Sequence, residues 1–284
     1  MTEKSLKDII EEQFETDSVQ LPVFNRIAME LQRKRADPNI SLDQISALIM
    51  KDPALASRIL RVANSSFYAG LRQVDKVSQA VMRLGMERVT SLAMVASQLL
   101  AHTAKIKLIA ERMQSLWSHS FACAVGGRWI AQQTGNQARA EEVFLAALLH
   151  DLGELFLLKV MEKLASSREG ALTLSNALIA EVVESLHADM GYRLMLKWQL
   201  PEAYAQVARD HHRDETPDGN DLLLTVRLVD LACDKLGIGH PRAPDIVLAA
   251  TPEARLLGIK EVKLAELEVL LEDSLGESGA LLRA

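Results

Sequence analysis

Asp151 closes an unbroken apolar run, Phe144-Leu145-Ala146-Ala147-Leu148-Leu149, and is preceded directly by His150. Asp230 stands inside a second such run, Leu228-Val229-Asp230-Leu231-Ala232. An ionised carboxylate among such neighbours is costly unless a partner compensates it. The cation nearest to Asp230 in sequence is Arg227, three residues back on an adjoining helical face. One divalent cation between the two segments would neutralise both carboxylates. Five of the seven histidines, His119, His150, His187, His211 and His212, also fall where helical patterns predict burial. Imidazole with carboxylate suits Fe, Mn, Zn or Mg rather than a thiolate site. Five imidazoles and two carboxylates exceed what a single ion needs, which points to one or two divalent ions in a shared cavity. Taken singly, His211-His212 also fits an exposed helix end, His119 a packed or capping residue, and Asp230 an arginine partner. Their order and spacing make the shared centre the stronger expectation. His102 and His240 read as core or surface residues, and Cys123 and Cys233 as buried thiols without a disulfide.

Helices must position these residues. The chain has 284 residues, 49% of them hydrophobic and only 4% aromatic, with Leu and Ala abundant. That is the composition of helical bundles rather than of β-sandwiches. No alternation with hairpin signals occurs, so an all-α fold is expected. Helices are predicted over 4–15, from Leu21-Pro22 to about Arg35, from Ser41, from Asp52-Pro53 to Asn64, over 78–84 up to Gly85, and over 87–102. A long one follows over 104–134 with a weak point at Gly126-Gly127, then 141–160, 175–186, 188–197, 202–212 and 221–236. Beyond the Pro241/Pro244 break the pattern predicts short helices and a loose tail. The charge of −6 lacks the basic cluster that a duplex-binding face needs, so nucleic acid is not an expected partner. No apolar signal core or membrane-spanning stretch is seen, and a reducing cytoplasmic setting without membrane contact is expected.

At these residues the chain resembles the HD superfamily of metal-dependent phosphohydrolases: His119, then His150-Asp151, then the distant Asp230. His187 and His211-His212 resemble the extra ligands of its two-metal HD-GYP branch. Four further phrases resemble the HDOD family: Lys51 to Ser65, Ala80 to Gly85, Phe144 to Gly153, and Trp198-Gln199-Leu200-Pro201 with His211-His212. The resemblance covers about Leu21 to His212. It implies an N-terminal helical subdomain (1–102, the HDOD part from about 21) packed on an HD-like bundle (103–240), followed by C-terminal helices and a tail (241–284). It implies a bacterial signal-transduction or regulatory role with little or no catalysis, and a signalling protein or a small phosphate-containing ligand as partner. The alternative is a phosphodiesterase acting on a nucleotide or cyclic dinucleotide, through water activated at the metals beside Asp151. Three departures from the HD-GYP pattern weigh against that alternative. Glu154 stands where that branch has a lysine, and should repel phosphate. Arg213 to Gly219 replaces its Gly-Tyr-Pro loop, and Ser115 replaces a glutamate one turn before the first histidine. Phe67 and Tyr68, at the end of the 53–64 helix, are candidates for a contact surface or for packing between subdomains.

Overall fold

The computed structural model describes residues 5–16, 25–35, 37, 39–65, 68, 73–167, 172–215 and 219–283. It is all-α, with no strand among the described residues. Helices α1 (Leu6–Glu15) and α3 (Leu42–Ile49) each open on a capping box at Ser5 or Ser41, which satisfies two of the orphan amides of the first turn. Asn25 caps α2 (Arg26–Lys34) and donates to Asp52, which caps α4 (Pro53–Ala63) in turn. The expected start at Leu21-Pro22 lies outside the described residues. Element α5 (Val77–Ala101) is two helical stretches joined at Gly85, whose φ of 75° and ψ of 172° are non-helical, as the sequence reading of a helix end there requires. Helices α2, α3 and α4 pack on α5.

The second group comprises α6 (Lys107–Gln133), α7 (Ala140–Leu149), α8 (Leu152–Ala165), α9 (Asn176–Lys197), α10 (Glu202–Asp210) and α11 (Asp221–Leu236). Helix α6 packs on α7 and α11, α8 on α9, and α9 on α10. Although α1 comes first in the chain, it docks on α8, with Phe14 edge-on to Phe156 at 5.8 Å and Arg193 and Lys197 over its ring. The seam between the groups runs where α5 meets α7. There Glu141 accepts from Ser91 and from Arg128, and Arg128 also donates to the hydroxyl of buried Tyr68. Tyr68 therefore packs at the seam and offers no outer contact surface. Phe67 lies outside the described residues.

Two local expectations are corrected. Residues 176–197 form one continuous helix, with no proline or cap to break it at His187, whose ring donates to the Val183 carbonyl one turn back. The C-terminal part holds a short α12 (Pro252–Leu256) and then a 23-residue helix, α13 (Glu261–Arg283), packed along α6, rather than a loose tail. Its buried positions Leu264, Leu267, Leu271, Ser274, Ser278 and Leu281 follow a three-four spacing that makes one continuous stripe.

His102, at the end of α5, gives the fold a pH dependence of its own. Its Nδ1 donates to the Gln98 carbonyl at 2.7 Å, while its buried Nε2 has no hydrogen-bond partner. Burial pushes its pKa down to about 4, with nearby Lys159 acting in the same direction. The unfolded chain therefore takes up this proton near the ordinary value of 6.5, before the folded chain does. Stability is full above that value and falls as pH drops toward 4, by about 3 kcal/mol if the whole shift is expressed. We expect His102→Gln to flatten that part of the stability–pH curve relative to wild type in urea titrations. An unchanged slope would refute this account.

Candidate metal centre

Five separate stretches deliver the candidate residues. His119 projects from the middle of α6 and Asp230 from the middle of α11. Helix α7 ends at Leu149 and α8 begins at Leu152, so His150 and Asp151 form the two-residue turn between them. This turn lets adjacent side chains face one point, which a regular helix would forbid. His187 lies within α9, and His211 and His212 follow the last turn of α10. All seven side chains converge. Nε2 of His119 lies 3.2 Å from Nε2 of His150, 3.4 Å from Oδ2 of Asp151 and 3.2 Å from Oδ1 of Asp230. The other oxygen of Asp151 faces Nε2 of His211 at 3.3 Å and Nε2 of His187 at 3.9 Å. Nδ1 of His212 stands 3.9 Å from Oδ2 of Asp230. Asp151 thus spans two half-sites, one of His119, His150 and Asp230, the other of His187, His211 and His212.

The backbone fixes which nitrogen of each ring faces inward. Nδ1 of His119 donates to the Ile238 carbonyl, that of His150 to Ala147, that of His187 to Val183 and that of His211 to Ala208, at 2.7–3.1 Å. Each ring therefore turns an Nε2 lone pair toward the carboxylates, the arrangement by which proteins orient metal-binding imidazoles. Nε2 of His211 and Oδ1 of Asp230 are buried and make no hydrogen bond of good geometry. Acceptors gathered this closely need protons or a cation between them, and imidazole with carboxylate is a suitable donor set for a divalent one. The residues present fit the group that the sequence implied.

The HDOD domain pattern matches residues 21–214. The chain belongs to the HDOD family. An HDOD domain protein of unknown function from Geobacter sulfurreducens shares its fold, with 23% identity, 98% of each chain covered and a TM-score of 0.72. So does a provisionally assigned metal-dependent phosphohydrolase from Shewanella amazonensis SB2B, with 19% identity, coverage of 97% and 98%, and a TM-score of 0.73. An uncharacterized protein from Treponema pallidum (strain Nichols) is 28% identical over 202 residues, 68% of this chain. The chain spans only 37% of that relative's length.

Charge in the HDOD centre balances without a metal only by holding protons. Burial disfavours the charged form of Asp151, but His150, His211 and His119 outweigh it and keep the carboxyl well below its ordinary range. Asp230 is lowered too, burial being outweighed by the adjacent His119 and by the His150 and His211 charges. His119 and His211 are raised, burial being overcome by Asp230 and Asp151 respectively. His150 is lowered to about 4 chiefly by burial, and half-exposed His212 to about 4 by partial desolvation on its inner side and by neighbouring His211. Two imidazolium protons thus offset two carboxylates, and one divalent cation replaces both protons with no change in net charge.

Two sequence expectations change here. Arg227 does not serve Asp230; it pairs with buried Glu253 at 2.9 Å, which leaves Asp230 to the histidines. Glu154 is not a bare anion: Arg112 grips both its oxygens, at 2.6 and 3.2 Å, and cancels its charge. Two residues read as ordinary also border the site. The His240 ring lies 4.5 Å from that of His119, and Sγ of Cys123 lies 3.6 Å from Nε2 of His119. Cys123 and Cys233 are free and buried, as expected, with 3.6 Å between their sulfurs.

Proposed function

We propose that this HDOD protein is a bacterial, cytoplasmic signal-transduction module whose centre holds one or two divalent cations to fasten the bundle, with weak or no hydrolysis. The closure of the centre carries this reading. His119 and His150 are 0% exposed, Asp151 and Asp230 4%, His211 3% and His187 7%, leaving His212 as the exposed member. Structural metal sites are closed in this way by protein ligands, whereas catalytic ones keep a position open. A fold clasped where α6, α9, α11, the α7–α8 turn and the end of α10 bring their ligands together would pass its state to a signalling protein, or to a small phosphate-containing ligand, by surface contacts. No helix among the described residues is long and apolar enough to cross a membrane, in line with that setting.

Chelation is the test. Metal held at about 100 times its dissociation constant adds about 2.7 kcal/mol, so stripping it should lower Tm by roughly 5–10 °C. Re-addition should restore the loss, with no cyclic dinucleotide or nucleotide hydrolysed by the loaded protein. A chain whose Tm ignores both chelator and metal is not built this way.

The Arg112–Glu154 pair favours a second reading, a metal-dependent phosphohydrolase acting on a nucleotide or cyclic dinucleotide. With the charge of Glu154 cancelled, the repulsion expected of it against a phosphate is gone. Bound cations would supply Lewis acidity toward a phosphate oxygen. Asp151 would hold the two half-sites in register, and His212 would meet the ligand at the mouth. Turnover that vanishes in His150→Ala would establish this reading over the first.

A further inference from the structure

We infer that Cys123 is a thiolate ligand to the cation held by His119, His150 and Asp230, so that this half-site takes a thiophilic ion, zinc or ferrous iron, over magnesium or manganese. The inference rests on the metal-holding reading above and deepens it by naming the class of ion.

His119 and Cys123 lie one turn apart on α6 and therefore share a face. One ligand atom from each of His119, Cys123, His150 and Asp230 falls within 4.8 Å of all the others, and all four residues are buried. The three distances from His119 match tetrahedral edges, with Oδ2 of Asp151, 3.4 Å from His119 and 3.3 Å from His150, left as the ligand bridging to the other half-site. Metal bonds of about 2.0–2.1 Å to nitrogen or oxygen and about 2.3 Å to sulfur give edges of roughly 3.3 Å for N–N and N–O, and roughly 3.6 Å for N–S. From Nε2 of His119 the edges are 3.2 Å to His150, 3.2 Å to Asp230 and 3.6 Å to Cys123. An unserved acceptor points to the same place, for Oδ1 of Asp230 is buried there without a hydrogen bond.

The sequence shows why a thiol would be recruited. Ser115, one turn before His119, offers neither carboxylate nor imidazole on that side. Cys123 offers a donor one turn after His119 instead. Cys233 completes the arrangement from α11, one turn beyond Asp230, with its sulfur 3.6 Å from that of Cys123. The two sulfurs are within hydrogen-bond reach and either can donate, so with Cys123 bound to the ion the Cys233 S–H would serve it as an outer partner of the kind that tunes a metal ligand. Coordination itself deprotonates the thiol. Soft sulfur selects against hard oxygen-seeking ions, which is the basis for the ion class named.

Cobalt(II) added to the metal-stripped full chain is the probe. Wild type and Cys233→Ala should show an intense near-ultraviolet thiolate-to-cobalt charge-transfer band, and Cys123→Ala should lack it while its circular dichroism stays helical. Zinc-edge X-ray absorption on zinc-loaded wild type should find one sulfur at about 2.3 Å, which needs no variant to fold. A bound ion surrounded only by nitrogen and oxygen, or a band that survives Cys123→Ala, overturns the Cys123 assignment and leaves the metal-holding reading standing. Failure of cobalt and zinc to bind at all overturns both.

Discussion

Gly153→Ala is expected to destabilise the protein by at least about 3 kcal/mol, the upper end of the usual cost of overpacking, and to detach His187 from the centre. Gly153 lies in the first turn of α8, against the middle of α9. A Cβ built there would stand 1.9 Å from the His187 carbonyl oxygen, 2.6 Å from the Gly191 amide nitrogen and 2.8 Å from the His187 carbonyl carbon. All three obstacles are backbone, so no rotamer change relieves them. Relief requires α8 to withdraw from α9, and His187 travels with α9. Its Nε2 already sits 3.9 Å from Asp151, at the far edge of the group. The gain in helix propensity from Gly to Ala, about 1 kcal/mol, acts in the opposite direction and is smaller. Urea denaturation reads the stability, and elemental analysis should show the His187 half-site losing its ion before the His119 half-site does. Stability within about 0.5 kcal/mol of wild type, the usual size of a harmless surface change, would show that the two helices do not meet this closely.

The convergence of the seven side chains was legible because polar groups in apolar helical runs demand partners, and the runs themselves fixed the helices. What escaped the sequence depends on contacts between distant segments. His240 follows Gly237 and Gly239, in an irregular segment with no period to read. It reaches the site because that segment presses on α6: a Cβ at Gly239 would come within 2.4 Å of the His119 Cβ. The same approach presents the Ile238 carbonyl to Nδ1 of His119. Glu154 was read as a charge because its partner, Arg112, lies 42 residues away on another helix. Helix α13 was missed because Ser274, Gly276, Ser278 and Gly279 look like loop residues in isolation. The close crossing is marked instead by Gly126 of α6, where a Cβ would come within 2.9 Å of Leu271 and 3.1 Å of Leu267, and by the Trp117 indole, which donates to the Ser278 carbonyl at 3.1 Å. Local pattern carries the elements and the charges buried within them. It does not carry which small residues mark a close crossing, or which distant cation cancels a buried anion.

Asp151→Asn should abolish binding at both half-sites while leaving the metal-free fold intact. One oxygen of Asp151 faces His119 and His150 at 3.4 and 3.3 Å, and the other faces His211 at 3.3 Å. Both half-sites therefore draw on a single negative charge. Asparagine keeps the shape but removes that charge, and it replaces one oxygen by an amide that donates rather than accepts. The amide can hydrogen-bond an inward Nε2 lone pair, which relieves part of the crowding that a cation would otherwise neutralise. The stripped variant should still fold, at some cost in stability from losing the charge that offsets the His211 proton. Its affinity for divalent ions should nevertheless fall by more than the roughly 10–100-fold typical of losing an outer partner, because a shared inner ligand is lost. His212→Ala, by contrast, removes one ligand from one half-site and should leave the His119, His150 and Asp230 half-site loaded. Wild-type metal content in Asp151→Asn would mean that the carboxylate between the half-sites carries no ion, and the centre would then be a proton-balanced core of histidine and aspartate.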